Sequence, residues 1–237
     1  MSSLLSRSRK PRLAQEQLCE LVYRPLAHLV VLVLLPLRVP PPAVVLASTG
    51  VGVAGAVELA RGHLVAAALL VQLKTVLDNA DGQLARLSGR VTAFGRYLDS
   101  ECDLLVNAAL FAALGWQTHQ PFAALAGFVA LTAVLSVNFN VERLARGAKT
   151  DTSDSGVLAR VYQVMYGWQD RVVERFLVPD RTAVVALAQL GMSGQLAAFG
   201  LFVGLGHPLY AVWFVLAQLP LVAVLVLRPR QLQEEIA

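Results

Sequence analysis

The sequence predicts an all-α membrane protein: six transmembrane helices, an N-terminal interfacial helix and both termini in the cytoplasm. Three observations predict it. Of 237 residues, 56% are hydrophobic and only 15% are charged, against about 45–50% and roughly 25% in soluble domains. Six apolar runs are each long enough to cross ~30 Å of hydrocarbon at ~1.5 Å per residue. Basic residues gather in alternate connections between those runs. The two cysteines, Cys19 and Cys102, are far apart and lack ligand spacing, which excludes a disulfide framework, a structural zinc site and an iron–sulfur centre.

The N-terminus carries Arg7, Arg9, Lys10 and Arg12, and an apolar stretch follows from Leu26 to Leu37. That stretch starts late, and Val39-Pro40-Pro41-Pro42 interrupts the chain where a cleavable leader would end in small residues. Residues 13–38 are therefore expected to form a helix at the cytoplasmic interface, with a seventh, short buried helix as the alternative. The six spans are expected at Ala43–Ala60, His63–Leu84, Gly95–Trp116, Phe122–Val141, Thr182–Gly204 and Leu209–Leu227. Short turns at Gly62-His63, His119-Gln120-Pro121 and Gly206-His207-Pro208 make neighbouring spans antiparallel. Arg86, Arg90 and Arg96 fall between spans two and three. Arg143, Arg146, Lys149, Arg160, Arg171, Arg175 and Arg181 fall between spans four and five, and Arg228 and Arg230 follow span six. These connections lie on one side, the cytoplasmic side by the positive-inside rule. Between spans four and five, Val157 to Phe176 reads as an amphipathic segment with Tyr162, Tyr166 and Trp168 for the membrane interface. The division that follows is an N-terminal segment 1–38, a six-helix domain 39–230 and a tail 231–237.

The chemistry concentrates at the cytoplasmic ends of spans two and three. Asp78, Asp81 and Ala85 share a helix face at i, i+3, i+7, and Gly95, Asp99 and Asp103 share one at i, i+4, i+8. A short turn joins the two helices, so the four carboxylates can face one another. One carboxylate pair at about 5 Å costs roughly 3 kcal/mol at an effective dielectric of ~20. Several pairs would rival the ~5–15 kcal/mol that holds a typical fold. Protonation relieves this, and hard cations relieve it better, because oxygen-only ligands suit Mg²⁺, Mn²⁺ or Ca²⁺. The small residues Gly82, Ala85 and Gly95 leave room for a ligand near the backbone, and the fork of Arg86 can reach a phosphate.

The spacing Asp78-x2-Asp81-Gly82-x2-Ala85-Arg86-x8-Gly95-x3-Asp99-x3-Asp103 resembles, without mismatch, the signature of the CDP-alcohol phosphatidyltransferase family. The resemblance implies transfer of a substituted phosphate from a CDP-alcohol to an acceptor alcohol, with release of CMP, in phospholipid biosynthesis. It implies two divalent ions, Mg²⁺ or Mn²⁺, held by Asp78, Asp81 and Asp99 with help from Asp103. It implies Asp103 as the general base, and Gly82, Ala85, Arg86 and Gly95 as the CDP-binding residues. The donor is expected to be a CDP-linked lipid such as CDP-diacylglycerol. The alternative is a CDP-choline or CDP-ethanolamine type of reaction with a lipid acceptor. One departure is clear: where many members carry Pro-Asn-x-x-Thr, this chain has Pro41-Pro42-Ala43-Val44-Val45, with Ser48 and Thr49 one turn later.

Lys74, one turn before Asp78, is read as its ion-pair partner, with contact to a substrate phosphate as the alternative. Arg143 and Arg146 are placed either to bind an anionic acceptor or to anchor the helix end. Asn107 continues the Asp99/Asp103 stripe. Gly191, Gly194 and Gly200 allow close packing of span five against a neighbour or against a second copy in a homodimer. Membrane lipids are expected partners and nucleic acids are not. A carboxylate-lined cation transporter is the competing class, since intramembrane acids often mark transport. It predicts acids spread through several spans, and outside the motif only Glu58 lies within one.

Overall fold

The computed structural model describes residues 2–8, 13–145 and 181–226, and the described residues are helical with short connections. A short helix α1, Ser2–Arg7, comes first. A single π-helical turn at Cys19–Tyr23 runs into α2, Arg24–Leu34. Then follow α3 (Pro41–Ala60), α4 (Leu64–Leu87), α5 (Ala93–Thr118) and α6 (Pro121–Ala145). After residue 180, α7 (Arg181–Ala188) and α8 (Met192–Gly204) form one interrupted segment, as do α9 (Leu209–Leu216) and α10 (Leu219–Val226). Six helical segments therefore occupy the six expected apolar runs. The breaks at 189–191 and 217–218 were not foreseen.

Local chemistry explains the boundaries. Pro41 and Pro42 open α3, where a missing N–H costs nothing. Gly62 (φ +82°) makes the turn into α4, and Gly89 (φ +66°) ends it. Thr92 caps α5 by accepting the Gly95 N–H at 3.0 Å. His119, left-handed at φ 56°, ends α5, and Pro121 starts α6. A Cβ on Gly115 would lie 3.0 Å from Ala124 Cβ, so that glycine lets this hairpin close.

Three apolar clusters hold the rods. The largest joins α3, α4, α5, α6, α8 and α9 through Leu59, Val71, Leu110, Phe199 and Val212. Phe111 stands at its centre, 5.5 Å from the Phe199 ring and 6.3 Å from that of Phe128. A second joins α6, α7 and α10 through Val134, Leu187 and Val222. The third seats α2 on α3 and α4 through Ala27, Val31, Val44, Ala80 and Leu84. The opposite face of the N-terminal helix exposes Leu21, Leu26, Leu29 and Val33, so the helix is covered by the bundle on one side only. The rods expose large apolar side chains outward, among them Leu46, Leu69, Leu105, Phe122 and Leu201. That surface is unsuited to water and suited to lipid.

Three segments are long and apolar enough to cross a membrane: Pro41–Ala60, Pro121–Leu144 and Arg181–Gly204. Leu209–Leu225 is apolar but shorter. Helices α4 and α5 are long enough at 24 and 26 residues, but each spends its motif end on charged residues. Arg146 and the expected amphipathic segment 157–176 lie outside the described residues.

Candidate active site

The end of α4 and the start of α5 bring the acidic motif together. Asp78, Asp99 and Asp103 each offer a carboxylate oxygen, and these oxygens lie within 4.8 Å of one another. Asp81, on the same α4 face as Asp78, is only 6% exposed, and its Oδ2 has no hydrogen-bond partner among the described residues. It lies in the field of the other three carboxylates. A buried carboxylate oxygen without a partner is costly. Beside three converging hard oxygen donors, it is the donor set that fits a small divalent cation.

Lys74 supplies positive charge to this cluster. Its side chain is buried, and its ammonium donates to Asp78 Oδ1 at 2.8 Å and to Asp103 Oδ1. The expected pairing with Asp78 is present, and it extends to the second helix. Gly52 of α3 gives the lysine stem its space: a Cβ there would lie 3.2 Å from Lys74 Cγ and 2.5 Å from Val106 Cγ1. Ser48 and Thr49, the candidates to replace the missing Asn and Thr, are engaged otherwise. Ser48 Oγ donates to the Lys74 carbonyl at 3.2 Å, and Thr49 Oγ1 donates to the Val45 carbonyl at 2.8 Å.

Two cavities open on either side of Asp78. One, of about 170 Å³, is lined by Asp78, Asp81, Gly82, Arg86 and Asp99 with residues of the N-terminal segment. The other, of about 340 Å³, is lined by Asp78, Asp103, Asn107, Ser136, Asn140 and others from α4, α5, α6 and α8. Of the expected nucleotide-binding residues, Gly82 and Arg86 line the smaller cavity, and Ala85 and Gly95 lie off its lining. The Arg86 guanidinium lies across Gly82, where a Cβ would be 3.2 Å from Nη1. Its Nε donates to the Ser8 carbonyl at 2.5 Å. Arg143 sits on α6 but off the lining of the larger cavity.

The sequence reading missed the share taken by the N-terminal segment. Glu16, Cys19, Asp78 and Asn79 line both cavities. Glu16 is buried, and its Oε1 accepts the Gly194 N–H at the start of α8, an acidic cap where the helix dipole favours one. Cys19 Sγ donates to Asn79 Oδ1 at 3.0 Å, and Asn79 Nδ2 donates to Ser193 Oγ at 3.2 Å. Tyr23 OH donates to Gln72 Oε1, and Gln72 Nε2 donates to the Leu196 carbonyl at 3.2 Å. Gly191, Gly194 and Gly200, read as a packing stripe, receive these polar groups. A Cβ on Gly191 would lie 2.2 Å from Glu16 Oε2, and one on Gly200 would lie 2.1 Å from Gln72 Nε2.

Helical rods with an apolar outer surface and a carboxylate cage at one end fit a membrane enzyme that handles phosphates. Comparison with known proteins makes the assignment specific. The profile of the CDP-alcohol phosphatidyltransferase family matches residues 26–173. Phosphatidylinositol phosphate synthase of Corynebacterium glutamicum is 32% identical over 190 residues, which cover 78% of this chain and 76% of that protein. The enzyme of the same name from Mycolicibacterium smegmatis is 42% identical over 77 residues, 32% of this chain and 35% of that one. The bifunctional IPC transferase and DIPP synthase of Thermococcus kodakarensis is 36% identical over 83 residues, 35% of this chain and 19% of that one. Among solved structures, Mycobacterium tuberculosis phosphatidylinositol phosphate synthase with CDP-DAG bound matches with a TM-score of 0.43 and 26% identity, over 79% of this chain and 93% of that one.

The chain belongs to the CDP-alcohol phosphatidyltransferase family. It is an integral membrane transferase of phospholipid synthesis that moves a substituted phosphate from a CDP-alcohol to an acceptor alcohol and releases CMP. The acidic stripe is accordingly read as transferase machinery, and not as a transport pathway.

Proposed function

We propose that the donor is CDP-diacylglycerol and the acceptor an inositol phosphate, and that the reaction runs at the cytoplasmic face of a six-span bundle with both termini inside. The carrying observation is the meeting of Asp78, Asp99 and Asp103 across the α4–α5 hairpin. The names of the similar synthases support the substrates: a phosphatidyl product, made by this family's chemistry, draws its phosphatidyl group from the CDP-linked lipid. The hydroxyl and amide side chains of the larger cavity, among them Asn107, Ser136 and Asn140, suit a polyol. Residues 39–230 would form the transferase domain, flanked by the N-terminal segment 1–38 and the tail 231–237. The basic residues after α4 and α6 support the orientation.

In this reading Asp103 is the general base, since it lines the larger cavity beside Asp78. It takes the proton of the acceptor hydroxyl as that oxygen bonds to the phosphorus carrying the lipid alcohol. The bond from that phosphorus to the CMP oxygen breaks, and its electron pair leaves with CMP. Arg86, lying across Gly82, holds the nucleotide's phosphates in the smaller cavity. Asp78, Asp81, Asp99 and Asp103 would hold two divalent ions, Mg²⁺ or Mn²⁺, whose chemistry is to neutralise the diphosphate and orient in-line attack. Arg143, near the end of α6, and Arg146 are the candidates for the acceptor's own phosphate.

Purified protein with CDP-diacylglycerol, inositol phosphate and Mg²⁺ is expected to release CMP and form a phosphatidylinositol phosphate identifiable by mass spectrometry. Product formed only from CDP-choline or CDP-ethanolamine with diacylglycerol would reverse the assignment of lipid and polar partner.

A further inference from the structure

We propose that Lys74 is a built-in counter-ion of the aspartate cage, and that divalent ions bind by displacing its ammonium from Asp78 and Asp103. This rests on the proposal that the cage takes divalent ions. Lys74 is 2% exposed, yet its ammonium finds two carboxylates from two different helices. The stem runs through packed surroundings, beside Gly52 and Val106, so the charge is delivered to this place and is not left over from a solvated surface. Four carboxyl groups gather here, and Lys74 brings one positive charge to them, held by Asp78 and Asp103. That is a cation's place taken by an ammonium, and it lessens the repulsion that would otherwise push α4 and α5 apart.

The same charge is an obstacle once metal arrives. A dication bound to Asp78 or Asp103 meets an ammonium already hydrogen-bonded to both, in surroundings that screen poorly. The repulsion is relieved when the ammonium withdraws, and a four-carbon stem with rotatable donors allows withdrawal without moving the backbone. Lys74 is thus a positioning residue for the metal-free cage and a competitor for the loaded one. A lysine that only steadied the ligands would raise metal affinity, and a competing lysine lowers it. The two roles predict opposite signs.

The test measures Mn²⁺ affinity of the full chain in detergent, without nucleotide or acceptor. Wild type, Lys74→Met, Lys74→Gln and Lys74→Arg are each purified in Mn²⁺, so that no variant has to survive metal-free. Mn²⁺ is then withdrawn by a graded chelator, and the released ion is read by electron paramagnetic resonance. Lys74→Met and Lys74→Gln are expected to hold Mn²⁺ about tenfold or more tighter than wild type, and Lys74→Arg within about threefold of it. Equal or weaker binding in the neutral variants would overturn the inference while leaving the metal cage intact. So would equal tightening in Lys74→Arg, since volume and not charge would then be the cause. Failure of wild type and all variants to bind Mn²⁺ would overturn the metal cage and this inference together.

Discussion

Asp103 serves two neighbours at once, the Lys74 ammonium and the cavity proposed for the acceptor. Asp103→Asn preserves its shape and one hydrogen-bond acceptor but abolishes its basicity at neutral pH. CMP release by this variant is expected to fall about 10²–10⁴-fold, while CDP binding measured by calorimetry changes far less. Normal turnover would remove Asp103 from the role of base. At this scale the sequence was most legible within a helix. Asp78 and Asp81 on one face, Asp99 and Asp103 on another, and Lys74 one turn from Asp78 all follow from 3.6 residues per turn. What no periodicity contains is the rotation of α4 against α5. The bond from Lys74 to Asp103, and the exclusion of Asp81 from the closest triad, depend on that rotation.

Among the elements, the N-terminal segment and α8 depend on each other. Glu16 reaches across 178 residues of sequence to the first turn of α8, and Gly191 has no Cβ where that carboxylate sits. Gly191→Ala places a methyl in that space. An overpacked site costs ~1–3 kcal/mol, and loss of a helix cap costs roughly 0.5–2 kcal/mol. Both Gly191→Ala and Glu16→Ala are expected to lower the apparent melting temperature in detergent. The double variant should be less destabilised than the sum of the two, because the truncated side chain no longer meets the new methyl. Strict additivity would show that the contact does not govern the site. The sequence marked Gly191, Gly194 and Gly200 as places of close approach, which they are. It assigned them a neighbour or a second copy as partner, because a glycine records that something comes near and not what comes. Turns were legible for the opposite reason: Gly62, His119 and Gly206 act on their own backbone, and the structure places its reversals there.

The whole molecule reads as rods whose outer surface is apolar and whose polar groups turn inward at one end. Hydropathy alone finds three spans, because α4 and α5 devote their motif ends to carboxylates and α9–α10 is short. The proposed six-span topology predicts where a membrane-impermeant thiol reagent can react. After Cys19 and Cys102 are replaced by Ser, single cysteines at His63, His119 or His207 should label in intact cells, and one at Arg90 only after permeabilisation. The reverse pattern would invert the bundle and place the cage on the outer face.

The two cavities that meet at Asp78 have a consequence for the order of events. If each chamber takes one substrate, the partition between them is made of the side chains that both share, Glu16, Cys19, Asp78 and Asn79. The lipid-bearing phosphorus and the attacking oxygen then approach from opposite sides of that partition. In this reading both substrates are in residence together and the handover is a single displacement, which predicts inverted configuration at phosphorus.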